Sequence, residues 1–160
     1  MKKLFLLRHA KSSWDSETLP HIARPLNEKG YRDAYAVSKQ LLEMKEMPEQ
    51  VMCSPAIRTY STAFVFAQTI KFPVDQILIR KQLYDSNERQ YLECIASAGD
   101  AKSVLIVGHN ETITELAQKH LINRINELKT CTLICIEFDV LSWKEIAGSK
   151  GKLLFQLNTE

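Results

Sequence analysis

Two stretches limit what this chain can become. Residues 4–7 (LFLL) and 103–107 (SVLIV) are near-continuous apolar runs, too short to cross a membrane and too apolar for a solvated loop. Runs without polar alternation suit strands buried on both faces, the condition of a parallel sheet covered by helices. Each run stops abruptly, the first at Arg8-His9 and the second at Gly108-His109-Asn110. A permanent cation and groups that exchange a proton near neutral pH therefore stand where a sheet ends.

The rest of the chain alternates strand-like and helix-like segments. Residues 3–8 predict a first strand. Asn27 caps a helix ending near Met44, with Ala34, Val37, Leu41 and Met44 on one face at spacings of three and four. Pro48 closes that unit, and residues 50–53 make a short second strand. Ser54 then caps a helix with Pro55 in its first position, its inner face carrying Ile57, Tyr60, Phe64 and Ala67. Pro73 ends this helix, and residues 76–80 make a third strand. A helix near 87–97 turns Tyr91, Leu92 and Ile95 inward. After the strand at 103–107, Asn110 caps a helix ending near Asn123. Residues 132–138 and 152–157 make two further strands, joined by a helical turn at 143–147. This order implies an α/β fold, a three-layer α/β/α sandwich around a mostly parallel twisted sheet of about six strands. No repeat or linker interrupts it, so residues 1–160 read as a single domain.

Composition narrows the function classes. An apolar share of 45% and a charged share of 25% are ordinary for a soluble globular protein. Net charge is only +2 and the basic residues are scattered, so no nucleic-acid or membrane partner is expected. The Met1-Lys2-Lys3 start imitates a secretory signal, but Arg8 and His9 break the apolar run early and no cleavage site follows. A cytoplasmic location is expected. Cys53, Cys94, Cys131 and Cys135 lack CxxC spacing and read as buried reduced thiols. His21 and His120 read as surface or helix-end residues, and Trp14 and Tyr84 as either packing residues or neighbours of a pocket.

In such a sheet, ligands bind beyond the carboxyl ends of the strands. Arg8 and His9 end one strand, Arg58 follows the second within SPAIRT, and His109 follows the run at 103–107. Two guanidinium forks, two imidazoles and nearby helix N-termini suit a tetrahedral phosphate dianion. No carboxylate cluster stands ready for magnesium, so neither a metal nor a cofactor is expected.

RHAKSSW, RPLNEKG, SPAIRT and VGHN together resemble the histidine phosphatase superfamily, nearest its short phosphohistidine phosphatase branch typified by SixA, over nearly the whole chain. The resemblance implies a phosphoglycerate mutase-like fold and His9 as the nucleophile that becomes phosphorylated. It implies Arg8, Arg58 and His109 as the groups that hold the transferring phosphoryl. Ser12 falls at a secondary phosphate contact of the motif or is a plain turn serine. Glu111 stands where the branch often has proline. Asp85 is nearest by position to the acid with which larger relatives protonate an alkoxide, and whether either carboxylate acts so stays open.

The expected activity is metal-independent hydrolysis of phosphohistidine on a phosphorylated protein partner. An imidazole, with an ordinary pKa of about 6.5, leaves without the proton donor an alkoxide needs. A chain of this length also has no room for a substantial lid. A small-molecule phosphomonoesterase of the same fold is the alternative, and a catalytically silent phosphate- or protein-binding module is the alternative of another class. Oligomeric state is not implied.

Overall fold

The computed structural model describes residues 1–15 and 17–159. The strands are β1 (Lys2–Arg8), β2 (Gln50–Cys53), β3 (Leu78–Ile79), β4 (Ser103–Gly108), β5 (Leu133–Phe138) and β6 (Lys152–Leu157). The helices are α1 (Glu28–Met44), α2 (Ile57–Ile70), α3 (Glu88–Ala96) and α4 (Thr112–His120), with a 3-10 turn at His21–Ala23 and another at Trp143–Gly148. One six-stranded sheet has the order β3-β2-β4-β1-β5-β6. Only β5 runs against its neighbours, β1 and β6.

The apolar runs sit where their composition requires. Side chains alternate across a strand, and β1 sends Leu4 and Leu6 to one face, Phe5 and Leu7 to the other. Both sets are buried. Leu4 and Leu6 join a core with Tyr91 and Ile95 of α3, Leu116 of α4, and Trp143. Phe5 and Leu7 join a second core with Val37 and Leu41 of α1 and Phe66 of α2. Every residue of the central strand β4 is buried. The expected three-layer sandwich is the observed one.

Several local expectations are corrected. Ala34, Val37 and Leu41 face inward as expected, but Met44 is 41% exposed and Asp33 and Ser38 complete the inner face. The start of α2 is not capped by Ser54. Its N-cap is Ala56, without a side-chain cap, because the Ser54 hydroxyl accepts the Ala56 N–H at 3.1 Å in a separate turn. Of the expected inner residues Ala67 is buried, while the rest of the inner face differs. Ile57 is 46% exposed, and Thr59, Thr62, Ala63, Phe66 and Ile70 pack inward. On α4 the N-cap is Glu111, since Asn110 spends its amide on Glu127 and its carbonyl oxygen on the Thr114 hydroxyl. That helix ends at His120, where Leu121 bridges to Gly151. β3 shortens to two residues because residues 74–76 wind into a 3-10 turn after Pro73.

Asn27 does cap α1, accepting the Gly30 N–H at 2.8 Å, and it pins the chain leaving β1. The Asn27 N–H donates to the Lys11 carbonyl at 3.0 Å. A Cβ on Gly30 would meet that same oxygen at 2.1 Å, so only glycine lets the segment after His9 lie this close to the helix.

Candidate active site

Strand register explains why distant residues meet. Arg8 pairs with Gly108 across β1 and β4, and Cys53 pairs with Val107 across β2 and β4. Three parallel strands therefore end level. The links continue one residue further, with the His9 N–H donating to the Gly108 carbonyl at 3.1 Å and the Ser54 N–H to the Val107 carbonyl at 3.3 Å. His9, Ser54 and His109 thus emerge side by side, and the His9 and His109 ring centres lie 5.4 Å apart.

The His9 ring has a fixed orientation. Its Nδ1 lies 2.6 Å from the Ala10 carbonyl oxygen, which can only accept, so Nδ1 carries the hydrogen and Nε2 keeps its lone pair. The Thr62 hydroxyl holds the next residue by accepting the Ala10 N–H at 3.0 Å. Burial first, and the Arg58, Arg8 and Arg24 guanidiniums after it, push the His9 pKa down to about 4. The ring is neutral near neutral pH.

His109 is held on several sides. Its Nε2 lies 2.7 Å from the Ser54 hydroxyl, its backbone N–H donates to the Tyr91 hydroxyl at 3.0 Å, and the Tyr84 ring meets it edge-on at 5.5 Å. Burial, then the neighbouring His9 and Arg58, push its pKa down to about 3, so it too is neutral in the free protein. Protonation beside a bound dianion would require the ligand's own charge to raise it.

The guanidiniums complete the cleft. Arg58, in the first turn of α2, is only 4% exposed and donates Nη1 to the His21 carbonyl at 2.7 Å. Arg8 donates Nη1 to the Leu128 carbonyl at 2.8 Å, while its buried Nε has no partner among the described residues. A third arginine, Arg24, is also buried. It donates Nε to the Ser13 carbonyl at 3.0 Å and Nη2 to the Ser12 hydroxyl, and lies 3.3 Å over the Trp14 ring. The cleft encloses about 550 Å³, and among the described residues its walls carry Arg8, Lys11, Arg24 and Arg58 against a single carboxylate, Asp85. Guanidinium donors gathered in this way suit a tetrahedral oxyanion.

All four residues singled out in the sequence, Arg8, His9, Arg58 and His109, line this cleft, and so does Ser12. Glu111 faces neighbouring grooves rather than the cleft walls. Trp14 stands at the mouth, 70% exposed, and Tyr84 lines the wall. His120 ends α4 as expected but is buried, its Nε2 lying 3.1 Å from Glu88. The sequence reading missed Arg24 and His21 as cleft residues. Arg24 stood within the RPLNEKG string without a role, and nothing in the local pattern of His21 separates it from a surface histidine. Among the described residues, no group of three His, Cys, Asp or Glu side chains is placed to hold a metal ion. The four cysteines are buried and unpaired, and burial pushes Cys53, Cys131 and Cys135 up to about 12.

Residues 4–87 match the sequence model of the histidine phosphatase superfamily (branch 1). The chain belongs to the histidine phosphatase superfamily. Membership of this family supports a phosphatase activity. An uncharacterised chloroplastic protein of Arabidopsis thaliana is 30% identical over 159 residues, covering 94% of this chain and 72% of the relative. The fold is shared with a SixA of Agrobacterium tumefaciens (22% identity, 99% of both chains, TM-score 0.83). It is shared equally with a protein histidine phosphatase SixA solved with tungstate (17% identity, 98% and 96% of the two chains, TM-score 0.82). A mycobacterial glucosyl-3-phosphoglycerate phosphatase has the same fold at 14% identity and a TM-score of 0.69, over 96% of this chain and 97% of that one. Among the described residues, no helix is long and apolar enough to cross a membrane.

Proposed function

We propose that the chain is a phosphohistidine phosphatase acting on a protein substrate through a phosphorylated His9. The observation that carries this reading is the His9–Ala10 contact, which leaves Nε2 as the free lone pair at the foot of a cationic cleft. Nε2 attacks phosphorus in line, forming the Nε2–P bond as the bond to the leaving nitrogen breaks. Water then attacks the phosphorus of phospho-His9, releasing phosphate and returning the lone pair to Nε2. Arg8, Arg58 and His109 hold the equatorial oxygens, and Ser12 supports Arg24 beside them. Phosphoryl transfer asks mainly for such positioning and charge neutralisation, so turnover without a metal is part of the reading.

The phosphohistidine substrate is favoured by the leaving group and by access. His9 and His109 are both neutral in the free protein, so neither stands ready as a strong acid for an alkoxide. The 3-10 turn at His21–Ala23 and the exposed Trp14 border an open mouth that a protein surface can approach. One observation favours the small-ester alternative: Asp85 does line the cleft, where a carboxylic acid could protonate an alkoxide. A cytoplasmic location is part of the proposal, and the chloroplastic relative makes cell fractionation its direct test.

A panel of phosphohistidine proteins and phosphate esters, run with and without a strong chelator, tests the function. Phosphohistidine turnover that survives chelation and disappears in His9→Ala is the expected result. Efficient ester hydrolysis with none on phosphohistidine would reverse the substrate assignment.

A further inference from the structure

His21 makes an arrangement that hydrogen-bond chemistry cannot satisfy within the protein. Its carbonyl accepts Arg58 Nη1 at 2.7 Å, and both of its ring nitrogens face guanidinium groups. Nε2 lies 2.9 Å from Arg24 Nη1, and Nδ1 lies 3.3 Å from Arg58 Nη2. A neutral imidazole has one lone pair and one N–H, whereas a guanidinium only donates. One of the two contacts therefore sets an N–H against an N–H.

The distances decide which. The shorter contact gives the lone pair to Nε2, so Nδ1 bears the hydrogen and stands beside the Arg58 donor. A second ring proton would set an N–H against both guanidiniums, and desolvation with the fields of Arg58 and Arg24 also disfavours it. His21 is exposed on the cleft wall, with one side of its ring covered. Trp14 packs against it with ring centres 5.7 Å apart, and the same indole lies over Arg24. Arg24 is itself anchored by Ser12 and Ser13. Two donors from different elements, the 3-10 turn and α2, are thus held side by side on the wall of the cleft. An anionic oxygen between them accepts from both and removes the mismatch.

We propose that His21 is a further phosphate-binding residue, whose Nδ1–H donates to a phosphoryl oxygen that Arg58 holds from the other side. The proposal rests on the phosphatase reading of the cleft. It also explains a 3-10 turn that presents a histidine, rather than a loop of any composition, to two arginines.

Orthovanadate, a phosphate mimic, is the probe, with affinity measured by calorimetry for the wild type, His21→Ala and His21→Asn. Hydrogen bonds to charged groups are strong enough that His21→Ala should bind about tenfold more weakly. An asparagine amide offers one donor and one acceptor, so His21→Asn should recover most of that loss. In the vanadate complex, nitrogen-15 spectra of His21 should show the hydrogen on Nδ1 and slowed exchange, which a merely structural role would not produce. Wild-type affinity in His21→Ala, or a complex with the hydrogen on Nε2, would overturn the assignment of His21. Failure of the wild type itself to bind vanadate would overturn the phosphatase reading instead.

Discussion

A single carbonyl, that of Ala10, determines which nitrogen of His9 keeps its lone pair, and so which one would attack phosphorus in the proposed reaction. The same burial that shapes the site keeps that nitrogen unprotonated, with His9 titrating at about 4 and His109 at about 3 instead of their ordinary 6.5. Two pH effects follow. The acid limb of kcat/KM, corrected for substrate ionisation, should bend near pH 4 rather than 6.5, because that parameter reports groups of the free enzyme. A bend at 6.5 would show a solvated nucleophile. Stability should move in the same direction. Between 6.5 and about 4 the unfolded chain binds protons that folded His9 and His109 refuse, so the folded state weakens as pH falls through this window. Denaturant titrations from pH 7 to 4.5 should show it, and His9→Gln should flatten part of the slope. The arginine and histidine pairs at strand ends were legible residue by residue. His21 and Arg24 were not, because their role depends on a turn folding back across the cleft, which no local period records.

At the scale of elements, what the sequence showed well were β1 and β4, whose continuous apolar runs match burial on both faces. The helix α3 was also clear, from the spacing of Tyr91 and Ile95, both buried; its reciprocal Asn87–Gln90 cap emerged only in the structure. The start of α2 was not. Ser54 and Pro55 carry a strong capping signal, yet the Ser54 hydroxyl is drawn to His109, so tertiary demand at the site overrode local preference. Gly30 shows the reverse dependence, a helix residue chosen for what crosses it. Alanine inside a helix ordinarily stabilises by about 1 kcal/mol relative to glycine. Here Gly30→Ala should destabilise by roughly 1–3 kcal/mol, because a Cβ meets backbone rather than a yielding side chain. It should lower the rate as well, since the displaced segment runs back to His9. Thermal unfolding and kcat on the same variant check both, and a stabilised, fully active Gly30→Ala would refute the close approach.

For the whole molecule, the decisive feature is that β1, β2 and β4 end in register, so residues up to a hundred positions apart share one wall. The alternation of strands and helices made the sandwich readable. The antiparallel turn of β5 and the two-residue length of β3 were not readable, because both depend on pairings rather than on the segments themselves. Two cores, one on each face, fix the sheet, and the cleft lies beyond the carboxyl ends of its central strands, where the two imidazoles and the arginines are gathered. The central claim is that phosphorus passes through His9. Rapid quenching of the wild type during turnover of a radiolabelled phosphohistidine protein tests it most directly. Acid-labile label on His9, absent in His9→Ala, is the predicted result; turnover with no label on the enzyme, or label on another residue, would contradict it.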